Sequence, residues 1–386
     1  MKIFYENKKT LSEIIELAKN VKKIDLNIFK NDNIFIEGDN FNVMSNLLDF
    51  YSNKIDLIYI DPPYNTMSDF MYSENKISTV SFSQEDSILA YKDKMSLDDY
   101  LEFIRERLVL IYLLLSDKGT LYFHIDIKIG HYIKILLDEI FGKENFVNDI
   151  TRVKSNPKNF SRRAYGNQKD VIYIYSKKIR NNIFNDIKIH LDEKEKIKLF
   201  PKIDENGKRY TTVPCHAPGE TLCGETGKQW KGEFPPKGRH WRYSVDELDK
   251  LDSLGLIEWS KNKVPRIKKY LDEHSGKKIQ DIWLDYKDPQ YPIYPTEKNR
   301  QMLEMIVEQS SYEDSIILDC FCGSGTFLKA GLSKNRKVIG IDKSPIATKV
   351  IFENEELKNK LKLIKFCNST NNTEIQKQFS FEEIQN

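Results

Sequence analysis

The chain has 386 residues, room for two or three domains at roughly 150 residues each. Its composition, 40% hydrophobic, 31% charged and 12% aromatic, excludes wholesale disorder, and five cysteines are too few for a disulfide framework, so a reduced cytoplasmic setting is expected. The net charge of +2 conceals an asymmetry: residues 151–280 hold 29 basic against 17 acidic side chains, and the remainder holds 31 against 41.

A basic middle between acidic flanks is the pattern of a chain that meets a polyanion through one segment, although a lysine-rich solvated surface produces the same counts. The N-terminal stretch MKIFYENKKTLSEIIELAKN is charged throughout and predicts no signal peptide. The most apolar helix-like stretch, 108–115, is too short to cross a bilayer, so no membrane partner is expected.

Starting from the N-terminus, residues 1–30 read as polar helix leading into a strand at Asn33–Ile36, which ends in Glu37-Gly38-Asp39. Helical spacing follows over Phe41–Phe50. Ile55–Ile60 (IDLIYI) is an almost unbroken apolar run of the kind buried on both faces of a parallel sheet, and Asp61-Pro62-Pro63 stops it, because proline supplies no ladder donor. Ser96 and Asp99 resemble a capping box, and Leu97, Leu101, Ile104, Leu108, Ile111 and Leu115 repeat at three and four, predicting one amphipathic helix that ends at Lys118-Gly119. A strand at Thr120–Asp126 and a helix over Gly130–Phe141 continue the alternation typical of a parallel α/β sheet.

Residues 151–280 differ. Lys, Arg, Asn, Pro and Gly dominate, strands such as Val171–Tyr175 are short, and Trp230, Trp241, Tyr243 and Trp259 must supply the compactness of a loop-dominated region. From residue 281 the alternation resumes: helix Thr296–Gln309, strand Ser315–Asp319, helix Phe327–Lys334, strand Lys337–Asp342 and helix Pro345–Lys358, then a polar tail. The simplest organisation is one α/β domain made of residues 1–150 and 281–370, interrupted by a basic insertion at 151–280 and followed by a tail at 371–386.

Two motifs carry chemistry. Asp61-Pro62-Pro63-Tyr64-Asn65 follows a buried strand, where open α/β sheets place their sites. An exocyclic amino group on a nucleobase is a poor nucleophile, because its lone pair is delocalised into the ring. A carboxylate and a stiffly held carbonyl can each accept one of its N–H protons, which drives the nitrogen toward a tetrahedral shape. Asp61 and Pro62 supply that pair, and Tyr64 supplies a flat face for an extruded base. A plain strand stop with a core tyrosine is the structural alternative.

The second motif, Asp319-Cys320-Phe321-Cys322-Gly323-Ser324-Gly325-Thr326, also lies between a strand and a helix. Its glycines allow close backbone approach to a ligand. Asp342, at the end of the next strand, is placed to grip ribose hydroxyls. Position 328 is Leu, so the third glycine of a pyrophosphate turn is missing, and a dinucleotide fits less well than a nucleoside without phosphates.

Together the two motifs resemble the amino-group DNA methyltransferases that use S-adenosylmethionine. Their order, DPPY early and F-x-G-x-G late, is that of the family's β class. Glu37-Gly38-Asp39, Tyr294-Pro295-Thr296-Glu297-Lys298, Gly238-Arg239-His240-Trp241 and Asp281-Ile282-Trp283 also match. The resemblance implies a circularly permuted, Rossmann-like α/β sheet with the basic insertion as target-recognition region. It implies that Asp61, Pro62, Pro63 and Tyr64 act on the base. Asp39, Thr296, Asp319, Phe321, Gly323, Ser324, Gly325, Thr326 and Asp342 would bind S-adenosylmethionine, with Asp319 near the ammonium, Thr296 near the carboxylate, Asp342 at the ribose and Asp39 at the adenine. It implies Asn65, Arg152, Lys154, Lys158, Arg162, Arg163, Lys169, Arg239 and Arg242 as contacts to duplex DNA.

Asp at position 61 points to adenine N6; cytosine-N4 enzymes of this class usually carry Ser, and glutamine-modifying relatives usually carry Asn. Cys320, Tyr294 and Asn299 depart from the commoner Pro, His and Pro, and Met67 stands where Gly often follows DPPYNT. The expected activity is methylation of adenine N6 in a restriction-modification setting, with a cognate endonuclease and a homodimer as implied partners. Cytosine-N4 or RNA methylation by the same fold, or a DNA-binding module without catalysis, are the alternatives. No metal is expected, since Cys215-His216, Cys223 and His240 lack a zinc-knuckle spacing, and His124 is expected as a satisfied core or pocket-edge histidine.

Overall fold

The computed structural model describes residues 2–24, 32–63, 68–72, 88–93, 95–156, 163–221, 223–292, 294 and 297–366. Tyr64, Asn65, Lys158, Arg162 and Thr296, all named above, lie outside them, as does the polar tail. The described residues form two units, one of residues 1–186 and 280–386 and the other of residues 187–279.

The main sheet of the first unit consists of β1 (Ile34–Glu37), β2 (Ile55–Ile60), β3 (Leu115–Ile125), β4 (Phe146–Val153), β5 (Lys169–Ser176), β6 (Ile282–Trp283), β7 (Ile316–Asp319), β8 (Lys337–Asp342) and β9 (Lys362–Lys365). Their spatial order is β6-β4-β5-β3-β2-β7-β8-β1-β9. Among the described strands of this sheet β5 alone is antiparallel to its neighbours; all other pairings are parallel. Every residue of β2 is buried, as its apolar run requires at the centre of such a sheet. Its one acid, Asp56, accepts hydrogen bonds from the hydroxyls of Ser116 and Ser315, both at 2.7 Å, so the buried charge is not orphaned.

Helix Asn40–Tyr51 is capped by Asp39, whose side chain accepts from the N–H groups of Phe41 and Asn42. Helix Leu97–Leu114 starts at Ser96, whose hydroxyl oxygen accepts from Asp99 N–H. The helix ends earlier than the leucine spacing predicts. Leu115 already belongs to β3, and Lys118-Gly119 falls inside that strand, where the pairing with β2 shifts register. At Arg300–Ser310 the helix begins four residues later than predicted, because the Asn299 side chain accepts from Met302 N–H and caps it.

The insertion is shorter and more ordered than its composition predicts. Residues 151–186 belong with the main sheet, since β4 and β5 pair along their length, so the insertion spans 187–279. That unit is built on a four-stranded antiparallel sheet of Lys202–Ile203, Arg209–Pro214, Pro265–Tyr270 and Ile257–Trp259. Trp230 and Trp241 are buried with Cys215, Leu248, Ile257 and Ile267. Trp259 stacks on Trp230 with ring centroids 5.3 Å apart, and the Trp230 indole N–H donates to Asp249.

Candidate active site

The carboxyl ends of β2, β7, β8 and β1, four neighbours in the sheet, each deliver an aspartate: Asp61, Asp319, Asp342 and, two residues past Glu37, Asp39. All four line one cleft, together with Pro63, Phe321, Gly323, Ser324 and Thr326. Register makes this possible, since Asp319 faces Gly340 and Glu37 faces Asp342 across their ladders. Asp61 and Pro63 and the glycine loop, more than 250 residues apart in the chain, therefore share a wall.

The glycine loop is held by its aspartates. Gly323 N–H donates to Asp342 Oδ2 at 2.8 Å, and Ser344 N–H donates to Oδ1 at 2.9 Å. Asp319 Oδ1 accepts from Phe321 N–H at 2.9 Å. Gly323 has φ of +51°, and a Cβ there would lie 3.2 Å from the Tyr294 ring. The Ser324 and Thr326 hydroxyls bond each other at 2.8 Å. Gly325, expected to line the ligand pocket, does not: at φ of +73° it turns the chain into helix Thr326–Ser333, and a Cβ would point at Ile351 and Leu357.

Asp39 does double duty. Besides capping its helix it pairs with Arg107, 3.1 Å away, and Arg107 donates to the Asn40 side chain at 2.6 Å. Asn40 in turn donates to the Cys320 carbonyl, tying β1 to the glycine loop. Pro62 is buried beneath the cleft, and the Pro63 carbonyl accepts the Tyr100 hydroxyl at 2.7 Å, which fixes the turn after Asp61. Lys298 forms an ion pair with Asp61.

Behind the cleft lies a buried polar chain. The Tyr59 hydroxyl is 2.8 Å from His124 Nδ1, and His124 Nε2 is 2.9 Å from Asp170. One ring nitrogen of His124 thus faces a hydroxyl and the other a carboxylate. Arg152 closes the chain, 3.2 Å from Asp170 and paired with Asp288. Burial alone would raise the Asp170 carboxyl, but His124 and Arg152 outweigh it and hold it well below the usual carboxylate range. Burial, with Asp61 nearby, keeps the Tyr59 hydroxyl protonated.

This network corrects one expectation. Arg152 is fully buried and committed to Asp170 and Asp288, so it offers nothing to a phosphate. Lys154 is partly exposed and pairs with Asp126. Arg163 and Lys169 are exposed on the connection and strand start between β4 and β5. In the second unit Arg239 and Arg242 are exposed; Arg242 donates to the Pro214 carbonyl, and Arg239 lies 3.3 Å from His216 Nδ1.

The sequence motifs include Lys298 without giving it a task, and they pass over Tyr59 and Arg107. Tyr59 carried a signal, because a hydroxyl inside a buried strand needs a partner. Lys298 carried a weaker one, as a cation in a short element that also holds aromatic and acidic residues.

Among the described residues, five carboxyl groups line the cleft, those of Asp39, Asp61, Glu297, Asp319 and Asp342, against two ammoniums, Lys298 and Lys343. Burial pushes the Asp319 carboxyl well up, with the charges of Asp61 and Asp342 adding to it, and burial raises Asp342 too. Such a wall attracts a cation and repels phosphates.

A family model described as a DNA methylase matches residues 55–353. The chain belongs to the DNA methylase family. It is 40% identical over 326 residues to the type II methyltransferase M.EcaI of Enterobacter cloacae, which covers 83% of this chain and 69% of that one. It is 27% identical over 333 residues to the StyLTI Mod subunit, part of a type III restriction-modification enzyme of Salmonella typhimurium, covering 79% of this chain and 50% of the subunit, so it spans half that protein's length. The crystal structure of M1.HpyAVI superposes with a TM-score of 0.43 at 16% identity, over 83% of this chain and 96% of that one. As a DNA methylase, the chain is an enzyme that takes its methyl group from S-adenosylmethionine. The acidic wall fits that donor, which carries a sulfonium, an ammonium and no phosphate. Among the described residues no helix is long and apolar enough to cross a membrane.

Proposed function

We propose that this DNA methylase modifies adenine at N6 within a specific duplex sequence, as the modification partner of a restriction endonuclease in the cytoplasm. The observation that carries the proposal is the single cleft shared by Asp61 and the glycine loop. S-adenosylmethionine, when bound, supplies an electrophilic methyl on a sulfonium.

The chain's own residues do the rest. Asp61 accepts one N–H of the everted adenine, and the Pro62 carbonyl, stiff between two rings, accepts the other. The lone pair freed by those bonds would take the methyl as its bond to sulfur breaks, the donor leaving as the neutral thioether S-adenosylhomocysteine, and Asp61 would stabilise the positive charge that grows on nitrogen. The methylated amine is then acidic and passes its proton to water. Tyr64 stacks on the base. Phe321 and Gly323 line the donor side, with Asp319 toward the ammonium, Asp342 toward the ribose, Asp39 toward the adenine and Thr296 toward the carboxylate.

The unit at 187–279 reads the target sequence, with Arg239 and Arg242 toward the DNA, while Arg163 and Lys169 hold phosphates near the cleft. The permuted strand order of the β class belongs to the same reading, as does a homodimer, which sedimentation would detect.

Sequencing that detects modified bases, on DNA from cells expressing this chain, should show N6-methyladenine at one recurrent motif. Asp61→Ala should abolish the mark while leaving S-adenosylmethionine binding within about threefold of wild type. Turnover in that variant, or a mark on cytosine, would overturn the assignment.

A further inference from the structure

Tyr294 and Lys298 touch the two halves of the cleft. Tyr294 is buried against Gly323 on the donor side, and Lys298 pairs with Asp61 on the base side. The Asn299 side chain donates to the Lys287 carbonyl at 2.9 Å and accepts from Met302 N–H, which pins the residue next to Lys298. Lys298 itself is only 8% exposed.

Its position has no local justification. A lysine just before a helix N-terminus sits at the unfavourable end of the helix dipole. A buried ammonium also forfeits hydration. Conflicts of this kind between local preference and observed placement mark functional positions.

The cleft supplies the reason. Lys298 pairs with Asp61, and Asp319 and Asp342 line the same cleft, with the charge of Asp61 felt at Asp319 and at the buried Tyr59 hydroxyl. Besides its pair with Asp61, the Lys298 charge is felt by the carboxyls of Asp319 and Asp170. A carboxyl among other carboxyls in a partly dry site tends to take up a proton, and a protonated carboxyl carries an O–H donor and accepts more weakly than the carboxylate. A carboxylate is the stronger acceptor for an amino N–H and offsets positive charge growing on the nitrogen.

We propose that Lys298 is a positioning residue that aims Asp61, occupying one carboxylate oxygen so that the other faces the target amino group. The proposal rests on the reading of Asp61 as acceptor of the adenine N–H, and it adds what holds that acceptor in its working state.

The test uses full-length Lys298→Met and Lys298→Arg with duplex DNA carrying the methylated motif. In Lys298→Met, kcat falls about a hundredfold, donor Kd stays within about threefold, and the acidic limb of the pH–kcat profile moves up by about one pH unit or more. Lys298→Arg restores the limb and brings kcat to within about tenfold of wild type. Binding supplies a readout without turnover. Wild type prefers a duplex with adenine at the target over one with purine lacking the amino group, and Lys298→Met loses that preference below neutral pH.

The proposal fails if Lys298→Met keeps the wild-type limb and kcat, if its loss lies wholly in donor Kd, or if Arg does not rescue a variant that unfolds at the wild-type temperature. If Lys298→Met does not fold, the pH profile of Lys298→Arg decides alone, and a displaced limb there overturns the proposal. Failure of the underlying reading looks different: wild type would then leave adenine unmethylated.

Discussion

Replacing Arg152 by methionine separates a structural role from a DNA-binding one. The guanidinium is fully buried between Asp170, whose side chain is 2% exposed, and Asp288, which is 32% exposed. Methionine keeps most of the alkyl volume, so cavity formation contributes little. The carboxylate left behind outweighs it. Removing one partner of a buried ion pair costs about 3–5 kcal/mol. Asp288 is partly solvated and Asp170 retains His124, so about 3 kcal/mol is expected.

That loss should lower the urea midpoint of Arg152→Met markedly, and acidification should destabilise the variant less than wild type. The sign follows from Asp170, whose carboxyl is held low in the folded state. The stability it contributes is complete above the ordinary carboxylate pKa near ~3.9 and drains away as pH falls below it. A buried arginine touches no phosphate, so the slope of log affinity for DNA against log salt should not change, measured by fluorescence anisotropy under conditions where the variant is folded. Arg163→Gln, at an exposed site, should reduce that slope by about one. An Arg152→Met protein as stable as wild type with a shallower salt slope would mean that this side chain meets DNA after all.

Gly323→Ala should cost about 1–2 kcal/mol through its left-handed backbone and should displace Tyr294, raising the Kd for S-adenosylmethionine in calorimetry while DNA binding stays as in wild type. Unchanged donor affinity would show that the loop does not hold the donor. Donor binding should also tighten as pH rises and should release protons, because burial raises the Asp319 and Asp342 carboxyls and a bound cation favours their charged forms. Without donor the sign reverses for folding: stability falls as pH climbs from the ordinary carboxylate range through the raised one. Titrations in two buffers of different ionisation enthalpy, between about pH 5 and 8, measure the protons released, and a count of zero would contradict raised carboxyls in the cleft.

The strands that carry the site were legible because they are nearly pure hydrocarbon. IDLIYI, SIILD and KVIGID can be little else, and the aspartate that ends or directly follows each one had to face the sheet's edge. β4 was hidden by Asn148, Asp149 and Arg152, which read as surface. The acids that make a buried arginine tolerable, Asp170 and Asp288, lie 18 and 136 residues further along the chain. The insertion's sheet was hidden similarly: PRIKKY alternates Lys and Arg with Ile267 and Pro265, and only the tryptophans that those apolar residues cover reveal the buried side. Lys298 sat in plain view, yet its partner is 237 residues upstream, beyond the reach of any local pattern.

The reversed direction of β5 decides where positive charge can gather. Val153 ends β4 opposite Lys169, which begins β5, on the same side of the sheet as Ile60 and Ile125. A strand running the other way would have needed a crossover, carrying Lys154, Arg163 and Lys169 away from that rim. The hairpin keeps them there. On the proposed function, a polynucleotide drawn to those side chains would reach the same rim of the sheet that carries Asp61.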